Sequence, residues 1–289
     1  MARDTRLAVL FPGQGSQTQD MRASVEHDRP DLIPLAREEV GDDPFDRADE
    51  GTRWTQPAIF CASLAGWKRL EGEARPALMA GHSMGEISAL VAAGALGERD
   101  GLRVVAARGR LMQEAGEAAG DGGMLAVLGD GRDAAVEAAD GLGLTVANDN
   151  GPSQVVISGE AEGLDAATSE VKKLGLRTRR LPVRGAFHSP AMDPIVPAFR
   201  ELLAEVEVHE PEVPVLSCVT AEPFDDVRER LAQSITNPVR WLDVMRYLHG
   251  RGVRRFVEVG PGKVLAGLVR RALDGVETEA LEAREPAHA

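Results

Sequence analysis

The chain has 289 residues, of which 43% are hydrophobic and 27% charged, and its formal net charge is −13 at pH 7. These values are typical of a folded globular protein with one large domain or two modest ones, and they exclude a disordered chain. The acidic balance would repel a duplex nucleic acid or an anionic membrane, unless a local basic patch overrides it. With 4% aromatic residues, base stacking is also a poor explanation of function.

The cysteines and the N-terminal segment predict a cytoplasmic protein. Cys61 and Cys218 have neither metal-type spacing nor a framework of pairs, so we expect two buried, reduced thiols and no metal site. The longest apolar run near the N-terminus, residues 7–11, is too short for a signal-peptide core or a membrane span.

The first predicted elements belong to an α/β core. A buried strand at 7–11 ends in the glycine-rich turn 12–16, which would put backbone donors at the carboxyl edge of a sheet. Residues 18–53 have weak periodicity and are interpreted as irregular helix and loop. The other predicted elements of this part are a helix at 57–70 with proline at its start, a strand at 77–80, and helices at 87–96 and 98–115.

The middle of the chain has shorter elements in a different order. They are a strand at 124–128, a helix at 132–139, strands at 144–147 and 154–158, a helix at 161–174 and a strand at 178–183. Residues 148–152 are interpreted as the turn between the two central strands. This order is the split βαβ pattern of a ferredoxin-like unit.

After Gly185 the longer elements resume. They are helices at 191–206, 225–235 and 239–249, strands at 215–219 and 255–259, a last helix from Lys263 and a frayed tail from Glu277. The predicted class is therefore α/β, with a parallel-sheet core formed by residues 1–119 and 185–289. A small ferredoxin-like domain at 120–184 is inserted into it.

One short segment matches a nucleophile elbow, in which a strand turns sharply into a helix and exposes a strained serine. The segment is Gly81-His82-Ser83-Met84-Gly85. The following helix would direct its N-terminal amides, led by that of Met84, at the same point, where they could stabilise an oxyanion. The strand before and the helix after make Ser83 the candidate nucleophile, and a chance match is the alternative.

A serine nucleophile needs a base, and the chain has six histidines. His82 is expected to point away from the serine pocket, as a packing or hydrogen-bonding residue. Four others lie in charged surroundings and are interpreted as surface residues: His27, His209, His249 and His288. His188 lies where the inserted unit rejoins the core, and both a catalytic role beside Ser83 and a structural loop role are open for it.

Six segments match a known family in its own order, from about residue 7 to residue 274. They are Phe11-Pro12-Gly13-Gln14-Gly15-Ser16-Gln17, Thr55-Gln56-Pro57-Ala58, Gly81-His82-Ser83-Met84-Gly85-Glu86, Gly185-Ala186-Phe187-His188-Ser189, Pro238-Val239-Arg240-Trp241 and Glu258-Val259-Gly260-Pro261-Gly262-Lys263. Together they resemble the malonyl-CoA:acyl carrier protein transacylases, which load fatty-acid and polyketide synthases. The resemblance implies an α/β-hydrolase-like core and a discrete serine acyltransferase. No metal or redox cofactor is implied, since malonyl-CoA is the substrate and the partner carries the phosphopantetheine.

The resemblance also implies the catalytic roles. Ser83 would take the malonyl group as an ester. His188 would deprotonate Ser83 and later protonate the departing thiolate. The backbone amides of Gln14 and Met84 would form the oxyanion hole.

Further residues would bind the substrate by the same resemblance. Arg108 would hold the malonyl carboxylate bidentately. The alternative is a helix-surface charge, and Arg110, two positions on, should face elsewhere. Gln14 and Gln56 lie in matching segments and are expected to contact substrate. Asn150 lies in the segment that faces the cleft in the family, with an ordinary turn residue as the alternative.

Two features depart from the family pattern. The family orients its histidine with a backbone carbonyl four residues before the proline of Pro-Val-Arg-Trp, which here is Ser234. Glutamine often occupies that position, and Gln233 lies one place earlier, so the register is open. Residues 18–53 are shorter than usual, which would reshape the outer rim of the pocket.

A basic cluster at the end of the inserted unit contrasts with the acidic chain. Its members are Lys172, Lys173, Arg177, Arg179, Arg180 and Arg184. A solvated surface is one interpretation, and docking of an acidic carrier protein by the first five of these residues is the other.

The sequence thus predicts a monomeric, ping-pong acyltransferase that uses a Ser83 ester, a coenzyme A thioester and an acyl carrier protein. A hydrolase using the same serine and histidine is one rival, and the charge of Arg108 disfavours it. A module that only binds carrier proteins is the other, and the presence of both Ser83 and His188 disfavours it. Transfer of another acyl extender unit also stays open.

Overall fold

The computed structural model describes residues 3–72 and 75–281 and contains two β-sheets. The strands of the larger sheet are β1 (Arg3–Phe11), β2 (Arg75–Gly81), β7 (Val215–Leu216), β8 (Arg255–Glu258) and β9 (Glu277–Ala280). All pair in parallel, in the order β7-β2-β1-β8-β9.

Helices cover both faces of this parallel sheet. They are α1 (Met21–Asp28), α2 (Leu32–Val40), α3 (Thr52–Leu70), α4 (Gly85–Ala92), α5 (Glu98–Ala119), α8 (Val196–Ala204), α9 (Val227–Gln233), α10 (Trp241–Gly250), α11 (Val264–Ala272) and a 3₁₀ helix (Pro190–Ile195). Along β1, Leu7 and Val9 belong to one core cluster, and Ala8 and Leu10 to the other. Successive side chains of a strand point to opposite faces, so β1 is buried on both.

The smaller sheet is antiparallel and has its own helices. Its strands are β3 (Gly122–Leu128), β4 (Thr145–Gly151), β5 (Gln154–Glu160) and β6 (Arg177–Arg180), in the order β4-β5-β3-β6, and its helices are α6 (Arg132–Gly141) and α7 (Ala161–Lys173). Leu125 and Val127 of β3 pack in the cluster that includes these helices. Met124 and Ala126 face the other way, into a cleft. The predicted α/β class, with a parallel-sheet core and a separate ferredoxin-like unit, is confirmed.

Helix α3 starts at Thr52, earlier than the predicted residue 57. The Gly51 carbonyl accepts the amides of Trp54 and Thr55 at 3.1 and 3.0 Å and closes the first turn. Pro57 therefore lies in the second turn. The prediction placed this proline in the first turn, because N–H groups there have no acceptor within the helix and a missing one costs nothing.

The predicted turn at 148–152 is wrong, because β4 continues to Gly151. The outer edge of β4 forms two main-chain hydrogen bonds with a segment of the larger unit. The Asp149 amide donates to the Val239 carbonyl at 2.9 Å, and the Val239 amide donates to the Ala147 carbonyl at 2.8 Å. These bonds join the small sheet to the segment that precedes α10.

Two other segments are more regular than predicted. Residues 18–53 contain α1 and α2. Glu277–Ala280, predicted as frayed, forms β9 through main-chain pairing with β8 rather than through apolar side chains. The rest of the predicted tail, 282–289, lies outside the described residues. Across the described ranges no helix is long and apolar enough to cross a membrane.

The site lies where β1 and β2 end side by side. Phe11 pairs with Gly81, the last residue of each strand. The loops that follow, 12–16 and 82–84, therefore leave the same edge of the sheet. This edge is where parallel α/β sheets bind ligands.

Candidate active site

Ser83 lies on a strained turn between β2 and α4. Its φ is 54°, in the left-handed region that non-glycine residues rarely adopt. A Cβ on Gly81 would lie 2.0 Å from the Gly85 carbonyl, and a Cβ on Gly85 would lie 2.2 Å from the Phe11 carbonyl oxygen. Both glycines are thus required by close backbone contact, and the turn holds the hydroxyl at the sheet edge.

The close contact at Gly85 predicts a large loss of stability on substitution. Gly85→Ala should lower the free energy of unfolding by about 3 kcal/mol, because the added methyl meets backbone atoms that cannot rotate away. Urea unfolding would measure it. Gly141→Ala, whose Cβ would meet nothing within 4 Å at the end of α6, is the matched control and should not lose stability. Equal unfolding midpoints for Gly85→Ala and wild type would contradict the tight elbow.

His188 approaches Ser83 from the segment that rejoins the larger unit. Its Nδ1–H donates to the Ser234 carbonyl at 2.8 Å, with the Asn237 carbonyl at 3.2 Å. This leaves Nε2 as the acceptor for the Ser83 hydroxyl, 2.8 Å away. The carbonyl beside the imidazole is thus that of Ser234, four residues before Pro238. The choice between Ser234 and Gln233 that the sequence left open therefore falls on Ser234.

Burial keeps this imidazole neutral. Burial is the largest cause that lowers the pKa of His188; together with the nearby Arg108 and His82, and against the Ser234 and Asn237 carbonyls, it brings this pKa to about 3. A neutral imidazole with a free Nε2 can accept a proton from the serine, which is what a general base requires.

Arg108 on α5 reaches the same hydroxyl. Its side chain is buried, and Nη2 donates to Ser83 Oγ at 3.0 Å while Nη1 donates to Gln56 Oε1 at 3.0 Å. Burial lowers the pKa of Arg108 to about 10, against an opposing effect of Glu86. Arg110 is exposed and paired with Glu114, so it faces elsewhere, as predicted. A buried guanidinium whose hydrogen-bond acceptors are both neutral is suited to bind an anion.

The backbone at Gln14 and Met84 borders the serine from two sides. Gln14 follows β1 and Met84 immediately precedes α4, and both line the cleft around Ser83. The next two amides along the chain after Met84 bond carbonyl oxygens of the turn itself, at 2.9 and 3.1 Å. The Met84 amide lies at the positive end of α4, where an oxyanion would be stabilised.

His82 does not point away from the pocket, and that prediction is wrong. It lines the cleft, and its Nε2 lies 2.8 Å from Asn150 Oδ1, with its ring edge-on to Trp241 at 5.4 Å between centroids. Its hydrogen-bonding role is as expected. Because Asn150 belongs to β4, this bond joins the small sheet to the elbow. The Oδ1 of Asn150 is occupied by His82, and contact of Asn150 with a substrate stays a prediction.

The basic cluster does not form one surface. Arg180 pairs with Asp165 on α7, and Lys173 pairs with Glu170 on the same helix, so both lie on the helix side of the small sheet. Lys172 is exposed on that helix as well. Arg179 faces the opposite way and lines the cleft. Alternation along β6 puts Arg177 on the same side as Arg179.

The sequence reasoning missed Glu86, a buried carboxyl next to the elbow. Its Oε1 accepts the Cys218 amide at 2.5 Å. Burial raises the pKa of Glu86 to about 8, although the Cys218 amide and Arg108 lower it. Its place beside Gly85 in the motif was the available signal. Cys218 and Cys61 are both buried and free, as predicted.

These groups form the floor of a cleft of about 580 Å³ between the two sheets. Its walls carry both apolar and neutral polar side chains, including Met112, Met124, Phe187 and Gln154. A cavity of this size can enclose a drug-sized ligand. A serine, a neutral imidazole and a buried guanidinium at its floor can transfer an acyl group that carries an anion.

Comparison with known proteins gives consistent results. The model of the acyl transferase domain family matches residues 45–284. The malonyl CoA-acyl carrier protein transacylase of Salmonella typhimurium is 38% identical over 98% of this chain and 97% of its own. The polyketide biosynthesis protein ThaF of Burkholderia thailandensis is 43% identical over 92% of this chain, which spans only 24% of that longer protein.

Solved structures are also similar. The malonyl-CoA:acyl carrier protein transacylase of Xanthomonas oryzae pv. oryzae has a TM-score of 0.90 and 35% identity, covering 97% of this chain and 95% of the other. A malonyl-transacylase in complex with its type II polyketide acyl carrier protein has a TM-score of 0.87 and 33% identity, covering 96% of each chain.

Proposed function

The chain belongs to the family of malonyl-CoA:acyl carrier protein transacylases, and we propose that it moves malonyl from malonyl-CoA to an acyl carrier protein. The acceptor is the phosphopantetheine thiol of the carrier, and the intermediate is an ester on Ser83. One observation carries this proposal. The Ser83 hydroxyl oxygen lies 2.8 Å from the His188 base and 3.0 Å from the buried Arg108 guanidinium, so nucleophile, base and carboxylate clamp meet at one atom.

The first half-reaction acylates the serine. Ser83 Oγ attacks the thioester carbonyl carbon while His188 Nε2 takes the hydroxyl proton. The amides of Gln14 and Met84 stabilise the oxyanion of the tetrahedral intermediate. The intermediate collapses by breaking the C–S bond, and His188 gives its proton to the coenzyme A thiolate.

The second half-reaction runs the same steps with the carrier. His188 takes the proton of the phosphopantetheine thiol, and the sulfur attacks the malonyl ester carbonyl. The C–O bond to Ser83 breaks, and the serine regains its proton from His188. Each step is an acyl or proton transfer, so we propose that no metal or redox cofactor takes part.

Arg108 selects the carboxylated acyl group. In the free site its Nη2–H donates to Ser83 Oγ. The malonyl carboxylate is a stronger acceptor than a hydroxyl, so it would take over this donor and the Nη1 donor that Gln56 now accepts. An acetyl group has no carboxylate, so the Arg108 guanidinium would keep its hydrogen bond to Ser83 Oγ.

The experiment uses isotope-labelled malonyl-CoA with the wild-type protein and holo carrier proteins of fatty-acid and polyketide synthesis. Label on a carrier thiol supports the transfer. Release of free malonate with no carrier labelling would replace the transferase by a hydrolase. If no label appeared on the protein, on the carrier or in free malonate, the result would favour a module that only binds carrier proteins.

The pKa of His188 predicts an unusual pH profile. An imidazole acts as a base only when it is unprotonated. With a pKa of about 3, His188 stays unprotonated at pH values well below its ordinary pKa of 6.5. The rate of Ser83 malonylation at saturating malonyl-CoA should therefore change by less than about twofold between pH 8 and pH 5.5. Single-turnover quench-flow would measure the rate, with tryptophan fluorescence as the folding control. A fall of about tenfold with a midpoint near pH 6.5 would contradict a neutral, buried base.

We also propose that the protein works in the cytoplasm, where its thioester substrate and carrier protein are found. The carrier would approach the mouth of the cleft, on the side of the small sheet that carries Arg177 and Arg179. Lys172, Lys173 and Arg180 lie on the helix side of that sheet, so we leave them out of the docking surface.

A further inference from the structure

A second cation lines the cleft, on the wall formed by the small sheet. Arg179 lies on β6, the edge strand, opposite Ala126 of β3, and both residues line the cleft. The Arg179 side chain is exposed. Its neighbour Arg180 is held by Asp165, whereas Arg179 has no ion pair among the residues that the structure describes.

The charges around the cleft are few. Of its lining side chains, Arg108 and Arg179 are cationic and Asp49 is anionic. Burial lowers the pKa of both His82 and His188, which keeps them neutral. Arg108 is buried at the floor, whereas Arg179 lies where the cleft opens to solvent. The lining of the cleft thus offers one cation beside the reacting serine and one, Arg179, where the cleft opens, with Arg177 two residues earlier on the same face of β6.

We propose that Arg179 binds the phosphate at the outer end of the pantetheine arm, the anionic group that coenzyme A and a holo carrier protein share. This inference rests on the proposed function, in which the same arm enters the cleft in both half-reactions. With the sulfur at Ser83, the arm runs outward and ends in a phosphate. A cleft of about 580 Å³ holds more than a malonyl group, so its outer part is free for the arm.

Each of the two arginines would bind one anionic group of the ligand. A planar guanidinium binds a phosphate through two parallel N–H···O bonds, as it binds a carboxylate. Arg108 would take the malonyl carboxylate and Arg179 the phosphate. The first contact distinguishes acyl groups, while the second distinguishes a phosphorylated arm from a bare thiol.

The test compares three donors in single-turnover malonylation of Ser83: malonyl-CoA, malonyl-4′-phosphopantetheine and malonyl-pantetheine, which lacks the phosphate. Arg179→Gln should raise the half-saturating concentration of the first two donors about five- to tenfold, since a charge-assisted bond is weakened by its exposure to water. The maximal rate should not change. With malonyl-pantetheine the variant should equal wild type.

Arg180→Gln is the matched control, one residue on and on the opposite face of β6. It should leave all three donors unaffected.

Three results would overturn the inference. They are no effect of Arg179→Gln on any donor, an equal effect on all three, or an effect on malonyl-CoA alone, which would assign the contact to the nucleotide phosphates. If the wild type is not malonylated by any donor, the proposed function fails, and this inference fails with it.

Discussion

Ser83→Ala is expected to lower malonyl transfer by at least about 10⁴-fold, because the covalent route disappears with the hydroxyl. Both the His188 imidazole and the Arg108 guanidinium hydrogen-bond to the Ser83 oxygen. Steady-state transfer from malonyl-CoA to holo carrier protein would measure the loss. Far-ultraviolet circular dichroism would show that the fold is kept.

Ser88→Ala is the matched control for this variant. Ser88 is a buried serine of the same helix α4, and its hydroxyl has no hydrogen-bond partner among the described residues. Its removal should leave the transfer rate within about twofold of wild type. If Ser83→Ala kept a tenth of the wild-type rate, the ester intermediate would have to be abandoned.

Arg108→Ala has the second largest expected effect. Loss of a buried partner for a carboxylate costs roughly 3–5 kcal/mol, so kcat/KM for malonyl-CoA should fall about 200- to 5,000-fold. Acetyl-CoA has no carboxylate, and its kcat/KM should fall far less or rise. The measurement is the ratio of kcat/KM for the two donors in wild type and variant.

Arg110→Ala controls for the loss of a positive charge on α5. Arg110 is exposed and paired with Glu114 at 3.2 Å, so its removal should leave the donor ratio as in wild type. An equal fall in kcat/KM for both donors in Arg108→Ala would mean that this arginine supports the fold rather than selecting the acyl group.

The elbow and its partners could be predicted because short local patterns specify them. A Cβ added at Gly81 or Gly85 would lie 2.0 or 2.2 Å from backbone atoms, so both positions require glycine, and this requirement is visible in the sequence. The segments around Ser83 and His188 keep the family's order. The proximity of these two residues, 105 positions apart, followed from the resemblance and not from any local pattern.

The side-chain partners across the cleft could not be predicted in the same way. The bond between His82 and Asn150 depends on how the small sheet meets the larger unit, through Val239 and β4. No periodicity within either segment carries that information. The burial of Glu86 is a similar case, since its partner amide belongs to Cys218, far along the chain.

The division of the basic cluster could have been predicted. A strand alternates its side chains between two faces, so Arg179 and Arg180 had to point in opposite directions once 178–183 was assigned as a strand. Counting charges along the chain combined two surfaces that the small sheet separates. The last strand, β9, in contrast could not have been predicted from its side chains. It forms through main-chain pairing with β8, and its residues have no apolar pattern.

The most direct test of the account is the mass of the wild-type protein after brief incubation with malonyl-CoA, followed by peptide mapping. The account predicts a gain equal to one malonyl group, located on Ser83, and removed when holo carrier protein is added. A malonyl group on another residue, or no gain with malonyl-CoA beside a gain with acetyl-CoA, would contradict it.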